Sequence, residues 1–114
     1  MSEECIFCKI INKELSSTII YEDDKFLVIK DVFPKAPLHF LAIPKKHIVS
    51  VNYLALEDKD LIGGLILLAK SIAKEQGTAE SGYRLTFNIG KDSGQIVNHL
   101  HLHIMGGGKL IDNL

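Results

Sequence analysis

His99-Leu100-His101-Leu102-His103-Ile104-Met105 places three of the chain's five histidines at alternate positions, with an apolar residue between and after them. A β-strand sends successive side chains to opposite faces, so this spacing gives one histidine face and one aliphatic face. A helix would scatter the histidines around the cylinder and leave Leu100 and Leu102 on no common side. The strand reading wins. Lys, Glu and Thr are the ordinary material of a merely soluble strand face, whereas histidine serves as acid, base, nucleophile or metal ligand.

The frame around this stretch is ordinary. At 114 residues the chain is read as one domain, residues 1–114, large enough for a hydrophobic core. Apolar residues make up 46% and charged residues 24%, and the net charge is −1 with both signs interspersed. That balance marks no nucleic-acid surface and no anionic membrane as a partner. The longest apolar run, residues 65–69, is far short of a membrane span. Residues 1–4 (MSEE) carry acid where a secretory signal carries base, so a cytoplasmic protein is expected. In a reducing compartment the Cys5-x-x-Cys8 pair is read as metal-binding or redox-active rather than as a disulfide. Its place near residue 1, not after a strand deeper in the chain, favours metal if two further ligands exist.

In chain order, residues 5–14 (CIFCKIINKE) have helical spacing and predict a short helix. Residues 18–21 and 25–30 read as a hairpin around Glu22-Asp23-Asp24. Residues 38–43 predict a strand stopped by Pro44, with Lys45 and Lys46 in a solvated turn. Residues 57–76 predict the long helix, with Leu61, Leu65, Leu68 and Ile72 on one stripe and Gly77 as its stop. Gly63-Gly64 inside it is either tolerated or a close-packing point. Strands are then expected at 83–89 and 96–105, the second carrying the histidines. The class is α+β: an antiparallel sheet with the long helix on one face.

Positions i and i+4 on a strand lie about 13 Å apart, too far for His99 and His103 to share one metal ion. They read instead as a line of separate functions. His101, between two histidines, offers a lone pair as nucleophile or base, and a neighbouring imidazolium stabilises an anion. Phosphate suits such a site: it accepts several hydrogen bonds, and phosphorus is open to attack by an imidazole nitrogen. Gly90 and Gly94 in the preceding loop (NIGKDSGQ, 88–95) are expected to let backbone N–H groups approach an oxyanion.

The stretch resembles the signature of the histidine-triad (HIT) superfamily, His-φ-His-φ-His-φ-φ with φ apolar. The resemblance extends to CIFCKIINKE, to the acidic turn before KFLVIKD, to AP-x-HF-x-x-IPKKHI (36–48) and to N-x-G-x-x-x-GQ (88–95), in family order over nearly the whole chain. IPKKHI and the Met105-Gly106-Gly107 ending look like the Hint branch, the purine nucleoside phosphoramidases. The resemblance implies a five-stranded antiparallel sheet with one long helix and a short N-terminal helix, the sheet continuing across a homodimer. It implies a hydrolase acting at the α-phosphate of a purine nucleotide derivative, a nucleoside 5′-phosphoramidate or an aminoacyl or lysyl adenylate, through a nucleotidyl-histidine. His101 would be the nucleophile, His103 would hold the phosphate oxygens, and His39 would lie beside them. Asn88, Asp31, Val32, Phe7, Ile10, Gly94 and Gln95 would contact substrate, and no metal would be needed for the chemistry.

Some family members keep a structural zinc, and Cys5, Cys8, His47 and His99 would complete a Cys₂His₂ set here. His47 is also readable as a hydrogen-bond partner of the triad, and His39 as a satisfied core histidine. Two departures stand out. Ile96 occupies a position where the family often has a hydroxyl facing the leaving group, and the C-terminal stretch lacks Trp-Pro-Pro-Gly. Two other functions fit the same residues: a dinucleoside polyphosphate hydrolase, and a nucleotide-binding interaction module of weak activity. Cys-x-x-Cys redox chemistry ranks last.

Overall fold

The computed structural model describes residues 5–110; the acidic start at 1–4 and the tail at 111–114 lie outside them. Helix α1 (Ile6–Ile11) leads into strands β1 (Ile19–Glu22) and β2 (Phe26–Lys30), then β3 (Leu38–Pro44), the long helix α2 (Lys59–Glu75), β4 (Tyr83–Phe87) and β5 (Leu102–Gly106). All five strands form one antiparallel sheet in the order β1-β2-β3-β5-β4. The expected α+β architecture is present. Among the described residues, no helix is long and apolar enough to cross a membrane.

The alternation read from the sequence divides the core. Leu100, Leu102 and Ile104 join Phe26, Val28, Phe40 and Ala42 under α2, which contributes Leu65, Ala69, Ile72 and Ala73. The opposite face packs Leu27, Ile29, Leu41 and Ile43 against Cys5, Phe7, Cys8 and Ile10 of the N-terminal segment. The six-residue α1 covers only part of that face, and the histidine-bearing remainder stays accessible.

Several boundaries differ from expectation. Helix α1 ends at Ile11, and the chain leaves it through Lys13 at φ 65. Helix α2 begins at Lys59 because Leu56–Asp58 form a 3₁₀ turn. In that turn the buried Asp58 carboxylate accepts the Ala55 N–H at 2.9 Å and Lys46 Nζ at 2.6 Å. Lys46 is therefore a partner for a buried charge rather than a purely solvated residue, and Lys45 pairs with Glu22 at 2.9 Å. Gly64 is a close-packing point, since a Cβ there would meet the Phe26 ring at 3.3 Å; Gly63 has nothing within 4 Å. Gly77, at φ 80, follows the end of α2 as expected.

The largest correction concerns the histidine strand. It spans Leu102–Gly106, not 96–105, so only His103 of the triad lies within it. The ladder ends at Ala42↔Leu102 on one side and Phe87↔Leu102 on the other. The next rung would join residue 100 to Pro44, which has no N–H to give. Leu100 N–H instead bonds Ile48 O at 2.6 Å. His99 and His101 thus sit on an extended approach to β5, alternating as a strand would but without its ladder.

Candidate active site and metal cluster

The open part of the histidine face is a cleft of about 680 Å³. His101 and His103 lie on its floor, with His39 from β3 opposite and Asn88 just after β4. Ladder register explains the grouping: His39 pairs with Met105, and Thr86 with His103.

The proton on each ring follows from fixed backbone partners. His39 Nδ1 accepts the Lys35 main-chain N–H at 2.9 Å, so its own proton is on Nε2. That Nε2–H donates to His103 Nδ1 at 2.9 Å, with Asp31 Oδ2 at 3.3 Å. His103 in turn carries its proton on Nε2, with Asn88 Nδ2 3.5 Å away, and the Asn88 amide accepts that proton when turned so that Oδ1 faces the ring. His101 Nδ1–H donates to the His99 carbonyl at 2.8 Å, which leaves the lone pair on Nε2. One ring therefore presents an acceptor nitrogen and its neighbour a donor, with centroids 5.0 Å apart. Asp31, His39 and His103 lie close enough for a second metal set. The Lys35 contact speaks against it, because it leaves no lone pair on His39 Nε2.

Burial keeps these rings neutral. It pulls His103 down to about 4, with the His101 and His39 rings adding to the effect and Asp31 opposing it. Burial also lowers His101, against the pull of the His99 carbonyl, and lowers His39, against the Asp31 carboxylate.

The rim of the cleft is apolar. Ile6, Phe33 and Ile96 border it while 45%, 78% and 91% exposed. Phe7 packs its edge against His101 at 5.0 Å and against His99 at 5.9 Å.

The other candidate contact residues divide. Phe7, Asp31, Asn88 and Gly94 line the cleft. Ile10 is buried on the sheet-facing side of α1, and Val32 borders another hollow beside Ser16, Ser17 and Thr18. Gln95 does not line the cleft but ties the loop together, accepting Gly90 N–H at 2.7 Å and donating to Val49 O at 2.8 Å and Val97 O at 3.1 Å. Gly94 N–H bonds Lys91 O at 3.0 Å, so neither glycine N–H is free to cradle an oxyanion as expected. Gly94, at φ 92, supplies the left-handed turn instead. Arg84 and Thr86 also line the cleft and were missed. Their signal was the strand alternation itself, which sets 84, 86 and 88 on one face.

Behind His101, Cys5, Cys8, His47 and His99 bring their ligand atoms within 4.8 Å of one another. His99 Nδ1 stands 3.2 Å from Cys5 Sγ, 3.5 Å from Cys8 Sγ and 3.1 Å from His47 Nδ1, and Cys8 Sγ lies 3.3 Å from His47 Nδ1. A tetrahedral S₂N₂ site with ordinary bond lengths has N···N and S···N separations of about 3.3–3.6 Å, close to those seen. His99 Nε2–H donates to Pro44 O at 2.8 Å, which leaves Nδ1 with the lone pair and supplies the outer hydrogen bond that metal-bound imidazoles make. The residues fit a metal ion. Burial pushes the Cys8 thiol up to about 12, with its Cys5 hydrogen bond adding, and burial pulls His99 down to about 4. A cation reverses the cysteine balance by stabilising thiolates.

A family model described as "Scavenger mRNA decapping enzyme C-term binding" matches residues 4–110. The chain is 44% identical over 110 residues to the purine nucleoside phosphoramidase of Escherichia coli K12, covering 96% of this chain and 92% of that one. A histidine triad protein from Clostridium difficile superposes with a TM-score of 0.95 at 42% identity, over 100% of this chain and 99% of that one. A HIT family hydrolase from Legionella pneumophila Philadelphia 1 gives 0.92 at 42% identity, covering 93% and 95%.

The neutral state of His103 is directly measurable. In NMR titration its imidazole stays neutral as pH falls, protonating only near 4. Its ordinary value is about 6.5, so between the two the unfolded chain binds more protons than the folded one. This contribution to stability is complete above about pH 6.5 and is lost as pH falls toward the folded value. A midpoint near the ordinary value would contradict the burial argument.

Proposed function

The chain belongs to the histidine-triad family, and on that footing we propose that it hydrolyses purine nucleoside 5′-phosphoramidates or related adenylates by nucleotidyl transfer to His101. The observation that carries this reading is the His101 Nδ1–H bond to the His99 carbonyl, which leaves a neutral Nε2 lone pair on the cleft floor. Attack by that lone pair on the α-phosphorus forms an N–P bond and breaks the bond to the leaving nitrogen, which takes a proton from solvent and departs as an amine; the water of the second step returns that proton when it cleaves the intermediate. Water then cleaves the N–P bond, giving nucleoside monophosphate and restoring His101. The net reaction consumes one water. The His103 Nε2–H donates to a phosphoryl oxygen as charge builds there. His39 holds His103 in the donor tautomer from behind. Asp31 and Asn88 supply polar contacts to ribose and phosphate, Gly94 gives the loop the turn that borders them, and Phe7 forms an apolar wall for the base.

Lys35 and Arg84 border the same cleft, which favours a second reading in which the substrate carries further phosphates. The test compares adenosine 5′-phosphoramidate with diadenosine polyphosphate. His101→Ala lowers turnover of the preferred substrate by at least about a thousandfold. Wild type mixed rapidly with substrate and quenched in alkaline denaturant, where an N–P bond survives, carries a mass increment of one nucleotidyl group that the variant lacks. Wild-type turnover retained in His101→Ala would overturn the mechanism. Tight nucleotide binding without turnover in the wild type would favour the interaction module.

We assign zinc to the Cys₂His₂ cluster on its donor set. A zinc ion there ties the start of α1 to the approach to β5 and supplies no reaction step. Protein purified under reducing, chelator-free conditions carries about one zinc per chain, and Cys8→Ser loses it. Absence of stoichiometric metal from the wild type would refute the assignment. A homodimer is supported by β4, which among the described residues pairs only with β5, and by Leu85 and Leu67, 36% and 63% exposed. Light scattering on the same preparation returns twice the chain mass; a monomer at micromolar concentration would refute it.

A further inference from the structure

The nucleophile we assign stands one residue outside the sheet. Strand pairing begins at Leu102, so no ladder bond fixes the backbone at 99–101. What holds this segment is a short set of contacts. Leu100 N–H reaches Ile48 O, and His99 Nε2–H reaches Pro44 O. His99 Nδ1 faces both thiols and His47, and its ring is fully buried. From the same residue the main-chain carbonyl accepts His101 Nδ1–H. On the other side Phe7, between the two cysteines, packs its edge against His101.

We propose that His99 is a positioning residue that couples the Cys5–Cys8–His47 cluster to the tautomer of His101. When the cluster is closed, the His99 carbonyl and the Phe7 ring are held in place, and His101 keeps its proton on Nδ1 and its lone pair on Nε2. When the cluster opens, the His99 ring keeps only its Pro44 bond and can pivot about it, and no ladder holds the backbone there. The carbonyl then moves, and His101 samples the tautomer with Nε2 protonated, which cannot attack. Cluster occupancy thereby sets the fraction of molecules able to react while substrate contacts on Asp31, Asn88 and His103 remain. This refines the hydrolase reading and rests on it for the kinetic measurement alone.

The test uses ¹⁵N-histidine-labelled full-length protein, loaded with zinc or stripped by chelator, and the variant His47→Asn, which keeps both thiols and His99. Imidazole ¹⁵N shifts at fixed neutral pH report the His101 tautomer. The loaded wild type shows one tautomer, protonated at Nδ1, while stripped protein and His47→Asn show a mixture. Turnover of adenosine 5′-phosphoramidate falls in kcat by at least about tenfold, as expected for a misaligned nucleophile, whereas KM and AMP affinity change by less than about threefold. Added zinc restores the stripped protein. A single unchanged His101 tautomer in both stripped protein and His47→Asn would overturn the proposal, as would a change confined to KM. If stripping unfolds the chain, His47→Asn carries the same expectation. If loaded wild type shows no turnover, the hydrolase reading fails by itself, and the tautomer shifts still decide the coupling.

Discussion

The hydrogen bond from His99 Nε2 to the Pro44 carbonyl stands where the sheet gives out. Pro44 closes β3 without an N–H, so its neighbour across the sheet cannot continue the ladder. A side chain supplies what the backbone cannot: His99 reaches back to the Pro44 carbonyl. That single bond fixes which imidazole nitrogen faces the thiols, and so decides that the cluster can take a metal. Together with the cluster contacts on Nδ1, it holds the carbonyl on which His101 depends. The terminus of one strand thus governs both halves of the histidine segment.

A second constraint is burial of rings that must stay uncharged. Imidazoles packed beside one another would repel if protonated, and desolvation adds to that cost. The arrangement answers both with hydrogen bonds that begin at a main-chain donor, Lys35 N–H, and run through His39 to His103. Because the first donor belongs to the backbone, the direction of the line is set by the fold and not by solvent pH near neutrality.

How much of this the sequence disclosed depends on whether the deciding interaction was local. The two faces of residues 99–105 follow from a period of two, and the core bears that division out with Leu100, Leu102 and Ile104 beneath α2. The stripe of α2 was equally readable. The strand's true start was not, because it turns on a proline 56 positions from Leu100 whose missing N–H matters only once the strands are paired. Lys46 looked like a solvated lysine because its partner, Asp58, is brought to it by a 3₁₀ turn that no periodicity announces. The resemblance points Gln95 at substrate, whereas its amide is spent on three main-chain partners. The grouping of Cys5 and Cys8 with His47 and His99 came from chemical type and family likeness. No spacing rule joins residues so far apart in the chain.

The cleft has a polar floor and an apolar rim, and the two respond differently to temperature. A group that meets only His101, His103 and Asn88 exchanges hydrogen bonds with water for hydrogen bonds with protein. A ligand that also covers Phe33 and Ile96 removes apolar surface from water, which carries a negative heat-capacity change. Its binding enthalpy therefore grows more favourable on warming, while that of a bare phosphate changes little. Calorimetry at several temperatures thus separates the part of a ligand held by the histidines from the part held by the rim.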